Sequence, residues 1–295
     1  MKVLITGANG QLGQSLLIAP ISKGEFTWIP TDYPELDITD QSDIDRWMKK
    51  ACPDMIINCA AYTAVDQAEE EPEKARQINV IGPSMLAVTA KKASIPLIHF
   101  STDYVFPGTN RIPYRETDIP GPLSVYGKTK LEGEQVVIQA AGPSIIIRTS
   151  WLYSEFGKNF VLTMLRLGRE KDQLDVVMDQ IGCPTYSGDL ADATITILRK
   201  LLKKPEASNG SKIYHFCNTG ETSWFDFAKE IIRHSGLSCR IVPIPTKQYP
   251  QPATRPAYSV LDTSRYRKEF GVLIPHWKTS LVKCLNTISG KTKQI

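Results

Sequence analysis

With 295 residues, 42% hydrophobic and 22% charged, the chain is long enough to bury a substantial core in one large or two modest domains and has a folded, globular composition. Its formal net charge is only +4, with Lys and Arg spread along the chain and no basic stripe interleaved with aromatics, which argues against nucleic acid as a partner. The 6 cysteines (Cys52, Cys59, Cys183, Cys217, Cys239, Cys284) lack metal-ligand spacing, the run before Gly7 is too short for a signal peptide, and no apolar run spans a bilayer. The expectation is free thiols, no metal centre, no membrane segment and a cytoplasmic location.

Lys2 to Thr6 reads as a short buried strand stopped by glycine. Gly7-Ala8-Asn9-Gly10-Gln11-Leu12-Gly13 follows, then a helical run from Gln14 to Ala19. Strand, glycine turn and helix make a phosphate site: Gly7 permits the tight turn, Gly10 lets a pyrophosphate approach the backbone, and Gly13 lets helix and strand pack closely. The spacing is GxxGxxG, one residue wider than the commonest dinucleotide fingerprint. A second strand at Phe26–Ile29 runs to Asp32, about 20 residues past the last glycine, where an acid accepts hydrogen bonds from ribose hydroxyls and repels a 2′-phosphate.

Asp40 is an expected N-cap for a helix to Ala51. Met55 to Ala60 is a continuous apolar strand, as a parallel sheet covered on both faces requires, and it opens into the small-residue loop Ala61-Tyr62-Thr63. Val65 to Ala93 is largely helical, with interruptions around Pro72 and Pro83. Ile95 to Phe100 is another buried strand, carrying His99 as a core histidine and delivering Ser101-Thr102-Asp103 to the same sheet edge. Pro107 to Pro122 is a long loop of the kind that is usually functional or mobile.

The loop ends at Tyr126-Gly127-Lys128-Thr129-Lys130. On a helix, Tyr126 and Lys130 stack one turn apart. A free phenol ionises near pH ~10, and a neighbouring ammonium is expected to lower that value toward what proton transfer needs. Ser144 to Thr149 is a further strand. The strand–helix alternation predicts an α/β fold, a Rossmann-type doubly wound parallel sheet.

Gly7 to Gly13, Ser101-Thr102-Asp103-Tyr104-Val105-Phe106 and Tyr126-x-x-x-Lys130 together resemble the extended short-chain dehydrogenase/reductases. Asn58 to Asp66, Arg148-Thr149-Ser150-Trp151, Asn159-Phe160, Asp179-Gln180-x-Gly182-x-Pro184-Thr185 and Arg255-Pro256 are similar to the dTDP-4-dehydrorhamnose reductase family, over nearly the whole chain. The resemblance implies reduction of the 4-keto group of dTDP-4-dehydro-L-rhamnose with NADPH or NADH. It implies Tyr126 as proton donor, Lys130 as holder of the nicotinamide ribose, and Thr102 as hydrogen-bond partner of the substrate oxygen, with Asp103 beside it. Cofactor contacts fall on Gly7, Gly10, Gln11, Leu12, Gly13, Asp32, Asp37, Ile38, Ala61, Tyr62, Thr63, Tyr126 and Lys130. Trp151 is implied in the sugar pocket, and Asn159 and Arg255 at the nucleotide diphosphate. Some members dimerise through acids around a magnesium ion. Ser15 stands where one such acid belongs, so a monomer or weak homodimer is expected.

The distal half alternates shorter elements: helices at Phe160–Arg169, Leu190–Leu202 and Trp224–His234, and strands at Leu174–Met178, Tyr214–Asn218 and Arg240–Ile244. Expected organisation is a dinucleotide-binding domain at 1–150, segments near 174–204 returning to it, and a smaller α/β substrate domain in 151–295. Tyr249, Tyr258 and Tyr266 are aromatics for either packing or stacking on thymine. The Lys- and Thr-rich tail from Ser289 is expected to be disordered. Two other functions fit less well: a reductase of a related dTDP-4-keto-6-deoxysugar, and a non-catalytic cofactor-binding regulatory subunit, which would have little need of Thr102, Tyr126, Lys130, Trp151 and Asn159 together.

Overall fold

In the computed structural model, which describes residues 1–290 apart from 23, 141 and 204–209, six parallel strands form one sheet. Their spatial order is 211–215, 144–149, 97–102, 55–58, 2–6, 27–30. Val3, Leu4, Ile5, Ile56, Ile57, Leu97 and Ile98 are all 0% exposed, because helices cover both faces and every side chain of a central strand must be apolar. The expected α/β doubly wound fold is the observed one. Helices Gln11–Ile18 and Ser187–Lys203 pack on one face, and Gln41–Ala51, Gly82–Lys92 and Val125–Gln139 on the other.

The strand order reverses between Lys2–Thr6 and Met55–Asn58, the place where such sheets open a crevice at their carboxyl ends. Here the turn after the first strand closes tightly. Gly7 has φ +68°, and a Cβ there would sit 2.5 Å from the Ala60 nitrogen. Asp40 caps the helix Gln41–Ala51 by accepting from the Ser42 N–H. Pro72 opens the helix Pro72–Arg76, as expected. At Pro83 the expected break is instead a π-turn, Gln77–Ile81, that runs straight into the helix Gly82–Lys92. The wider turn accommodates a proline that has no N–H to give.

The distal elements divide differently from the expected return near 174–204. Helix Ser187–Lys203 does pack on Gln11–Ile18, and strand Ser211–His215 joins the main sheet beside Ser144–Thr149. Strand Gln173–Val177 instead pairs in parallel with Arg240–Ile244 in a separate small sheet. A second core gathers there from helices Phe160–Glu170, Trp224–Ser235 and Trp277–Ile288.

The long loop 107–122 is anchored rather than loose. Tyr114 donates its N–H to the Val260 carbonyl at 2.8 Å, accepts from Asp262 N–H at 2.7 Å, and stacks on Phe106 at 4.3 Å. Ser15 is buried and shares a hydrogen bond with Ser187 at 2.8 Å. All six cysteines are free thiols, and no helix among the described residues is long and apolar enough to cross a membrane. Ser289 caps the last helix, while the rest of the expected disordered tail, residues 291–295, lies outside the described residues.

The contrast between two left-handed glycines yields a stability test. Gly236 has φ +70° with nothing within 4 Å of its missing Cβ, whereas Gly7 combines the same backbone with a backbone clash. Gly236→Ala is expected to cost about 1 kcal/mol and Gly7→Ala at least about twice that, read from urea unfolding midpoints.

Candidate active site

Helix Val125–Gln139 starts at Ser124, whose hydroxyl accepts from the Gly127 N–H, so Tyr126 lies in the first turn and Lys130 one turn on. The helix lies close against its neighbours: a Cβ at Gly127 would meet the Tyr104 carbonyl at 2.3 Å, and one at Gly133 the Asn79 carbonyl at 2.2 Å. Tyr126 and Lys130 therefore face the carboxyl end of strand Leu97–Thr102. There they line one cavity of about 530 Å³ with Thr102 and Asp103.

Lys130 is 2% exposed, and its Nζ donates to the Phe100 carbonyl at 2.6 Å. Burial draws its pKa down to about 8, against the charge of Glu134 one turn further on, which raises it. Burial pushes the Tyr126 phenol up to about 12; the Thr102 hydroxyl opposes that rise and the charge of Asp103 adds to it. This corrects the expectation that Lys130 depresses the phenol: the ammonium is committed to a strand carbonyl, and desolvation governs the tyrosine. Asp103, 2% exposed, is raised to about 7 by burial, with the Ser259 and Thr102 hydroxyls pulling it back. Thr102 Oγ1 donates to Asp103 Oδ1 at 3.0 Å.

The same cavity reaches the glycine turn. Gly7, Gly10, Gln11, Leu12, Gly13, Ala61 and Thr63 line it. A Cβ at Gly13 would strike Ala8 at 2.6 Å, while Gly10 has only the Gly7 carbonyl at 3.2 Å, so Gly10 leaves an open approach to the backbone. Gly10 makes no side-chain cap, which leaves the first-turn amides of helix Gln11–Ile18 directed at the cavity. Ser101 Oγ and Thr149 Oγ1, on adjacent strands at the cavity, are buried without a hydrogen-bond partner among the described residues. Such a cradle, with orphaned hydroxyls beside it, fits a dinucleotide.

Other expected residues lie apart from this cavity. Asp32 closes the glycine turn, accepting from Asn9 N–H at 2.7 Å and Tyr33 N–H at 2.8 Å. Asp37 accepts from Thr39, and the Ile38 side chain is 5% exposed in the core under Gly82. Tyr62 is turned away from the cavity, its hydroxyl donating to Glu71 at 2.7 Å, because its ring packs with Ala68 and Ala75. The Asn159 amide is consumed internally: it caps helix Phe160–Glu170 and donates to Gln11, Ser154 and Phe156. His99 is fully buried against Asn58 and held neutral by burial, a core histidine as expected.

Trp151 lines the cavity and stacks on Trp224, ring centroids 3.5 Å apart at 7°. Its φ is +46°, and Gly182 makes room for the indole, since a Cβ there would sit 2.5 Å from it. Trp224 went unnoticed in the sequence, where it reads only as the start of an amphipathic helix. It also walls a second cavity of about 600 Å³, with Phe160, Val177, Gln180, Tyr249 and Arg255. Of the three tyrosines in question only Tyr249 lies there. Tyr266 is core, and Tyr258 binds Glu221.

A glycine cradle at a sheet's reversal point beside Tyr126 and Lys130 defines the class as an extended short-chain dehydrogenase/reductase. The comparisons narrow it: a model described as RmlD substrate binding domain matches residues 1–289, and the chain belongs to that family, the dTDP-4-dehydrorhamnose reductases. A curated dTDP-4-dehydrorhamnose reductase of Aggregatibacter actinomycetemcomitans is 43% identical, covering 95% of this chain and 97% of its own length. A crystal structure of a dTDP-4-dehydrorhamnose reductase from Clostridium acetobutylicum superposes with TM-score 0.88 at 42% identity, covering 98% of this chain and 100% of its own. One from Bacillus anthracis in complex with NADP gives TM-score 0.90 at 40% identity, over 97% of this chain and 99% of its own.

Asp103 makes stability depend on pH. Its carboxyl rises from an ordinary 3.8 to about 7 on folding, so the native state binds a proton that the unfolded state releases between those values. The group costs nothing below the lower value and destabilises increasingly as pH rises through the upper one. Asp103→Asn should remove that loss. The variant is expected to gain on wild type between pH 4 and pH 8, by up to about 4 kcal/mol at about 1.4 per pKa unit, and parallel denaturant curves over that range would contradict it.

Proposed function

We propose that this oxidoreductase reduces the 4-keto group of dTDP-4-dehydro-L-rhamnose to give dTDP-L-rhamnose, with NADPH or NADH. One observation carries the reading: Thr102, Tyr126 and Lys130 line the same cavity as the glycine cradle, and Trp224 is shared with a second cavity that holds Arg255. The first cavity suits a nicotinamide cofactor and a keto sugar, and the second a thymidine diphosphate. Tyr249 there offers a ring for the base and Arg255 a cation for the phosphates.

The bound dinucleotide supplies the hydride that reaches the carbonyl carbon. Thr102 and Tyr126 share the role of holding the carbonyl oxygen and the negative charge that develops on it. Tyr126 gives that oxygen its proton. A phenol with a pKa of about 12 remains fully protonated at neutral pH, the state a donor requires. Lys130, titrating near 8, keeps most of its charge there and is placed one turn away to offset the phenolate left behind. In this reading Gly7 to Gly13, Ala61 and Thr63 hold the cofactor's phosphates and nicotinamide half. Asp32 stands toward its adenosine end, while Asp37, Ile38 and Tyr62 support the surrounding loops from outside the cavity. Trp151 flanks the sugar, Asp103 sets the Thr102 hydroxyl, and Asn159 supports the loop rather than touching phosphate. The partner is a small dTDP-sugar, and the protein acts in the cytoplasm as a monomer or weak homodimer.

Tyr126→Phe should keep cofactor affinity and lose at least about 100-fold in turnover, the scale of a general acid. Stopped-flow oxidation of NADPH with dTDP-4-dehydro-L-rhamnose measures both. Turnover close to wild type would move the proton transfer elsewhere.

Asp32 gives a second test, on cofactor choice. Tyr33-Pro34-Glu35 follows it with no basic residue, so NADH should be used at least comparably to NADPH. Asp32→Ala should shift kcat/KM toward NADPH. A strong wild-type preference for NADPH that the variant leaves in place would turn Asp32 away from the ribose.

A further inference from the structure

Arg255 enters the second cavity with its guanidinium already fixed. Nη1 donates to Asp66 Oδ1 at 3.0 Å and to the Ala253 carbonyl at 3.0 Å, and Nη2 donates to Asp66 Oδ2 at 2.7 Å. The Ala253 N–H reaches the same carboxylate at 3.2 Å. A guanidinium carries five N–H bonds in one plane, so three are engaged. The two left over are Nε–H and the second Nη2–H. They lie side by side on one edge, the spacing that meets two oxygens of a phosphate, and they take no partner among the described residues. The Arg255 side chain is 14% exposed, on the wall of the cavity.

Asp66 has no competing task. It precedes the helix Gln67–Glu70, yet its side chain makes no capping bond to it. Among the described residues its carboxylate bonds only the Arg255 segment, 189 residues away in sequence. Asp66 also ends the stretch whose Ala61, Thr63 and Val65 line the first cavity, so the ion pair ties the walls of both cavities together.

We propose that Asp66 is a positioning residue: by occupying the end of the Arg255 guanidinium it turns the remaining N–H edge to the diphosphate of the nucleotide sugar. The inference rests on the function proposed above, and its test separates the two.

Calorimetric titration with dTDP needs no turnover and is run on wild type, Asp66→Ala, Asp66→Asn, Arg255→Ala and the Asp66→Ala/Arg255→Ala double variant. Turnover of dTDP-4-dehydro-L-rhamnose, thermal melting and cofactor affinity are measured alongside. Asp66→Ala should weaken dTDP about ten-fold and raise KM to match, with kcat within about three-fold, since the contact acts on binding rather than on the transferred proton. The double variant should bind dTDP no more weakly than Arg255→Ala alone, because Asp66 acts only through that arginine. If Asp66→Ala melts early, Asp66→Asn carries the test, with an intermediate loss expected. Unchanged or tighter dTDP binding in the Asp66 variants, or additive losses in the double variant, would overturn the proposal. Wild type that binds dTDP in this ranking but leaves the keto sugar unreduced would overturn the functional reading and leave Asp66 standing.

Discussion

The burial of the Lys130 ammonium is the constraint that the rest of the site accommodates. A charge that is 2% exposed needs acceptors, and the chain supplies the Phe100 carbonyl from the end of a strand. One turn further, Glu134 is equally buried and bonded to Arg148 at 2.8 and 2.6 Å, so the helix carries a second charged contact into the sheet. Glycines at 127 and 133 let the same helix seat closely on the Tyr104 and Asn79 carbonyls beside it. Loosening any one of these moves Tyr126, because it shares the helix and sits in its first turn. Deleting one member of the Glu134–Arg148 pair leaves a buried charge alone, which typically costs several kcal/mol.

Two cavities divide the work between parts of the chain that are distant in sequence. The first is built from strand ends and the glycine turn, where parallel strands direct their carboxyl ends to one edge. The second is lined by strand Gln173–Val177 of the small sheet, by helix Phe160–Glu170 and by the segments that carry Tyr249 and Arg255. Trp224 belongs to both, and the Trp151 indole covers it from the sheet side. The anchored loop at 107–122 completes the frame: Gly108 packs so closely on Pro256 that a Cβ would come within 2.5 Å, which places Arg255 beside the Tyr104 segment.

What could be read from the sequence followed periodicity and spacing. The buried strands are continuous apolar runs, and Lys2–Thr6, Ser144–Thr149 and Arg240–Ile244 occur with the expected bounds. Gly7 and Gly13 have the tight contacts their positions suggested. Side-chain direction was harder to read. Ala61-Tyr62-Thr63 is one short loop, yet Ala61 and Thr63 face the cavity while Tyr62 turns to Glu71, a choice made by helix residues that follow it. The resemblance implies Asn159 at the nucleotide diphosphate, whereas its amide caps a helix and donates to Gln11, Ser154 and Phe156, partners that meet it only in the fold. Lys130 was expected to act on its neighbour's phenol, whereas the strand carbonyl that claims it is 30 residues away. Trp224 left no sequence signal, since stacking depends on two segments meeting in space.

The pairing of Trp151 with Trp224 has an optical consequence. Two indoles whose centroids lie 3.5 Å apart and nearly parallel couple as transition dipoles, so they act as one chromophore rather than two. Because Trp224 walls both cavities, the coupled pair lies within contact of both. The stacked indoles are thus one optical unit set on the wall between two cavities.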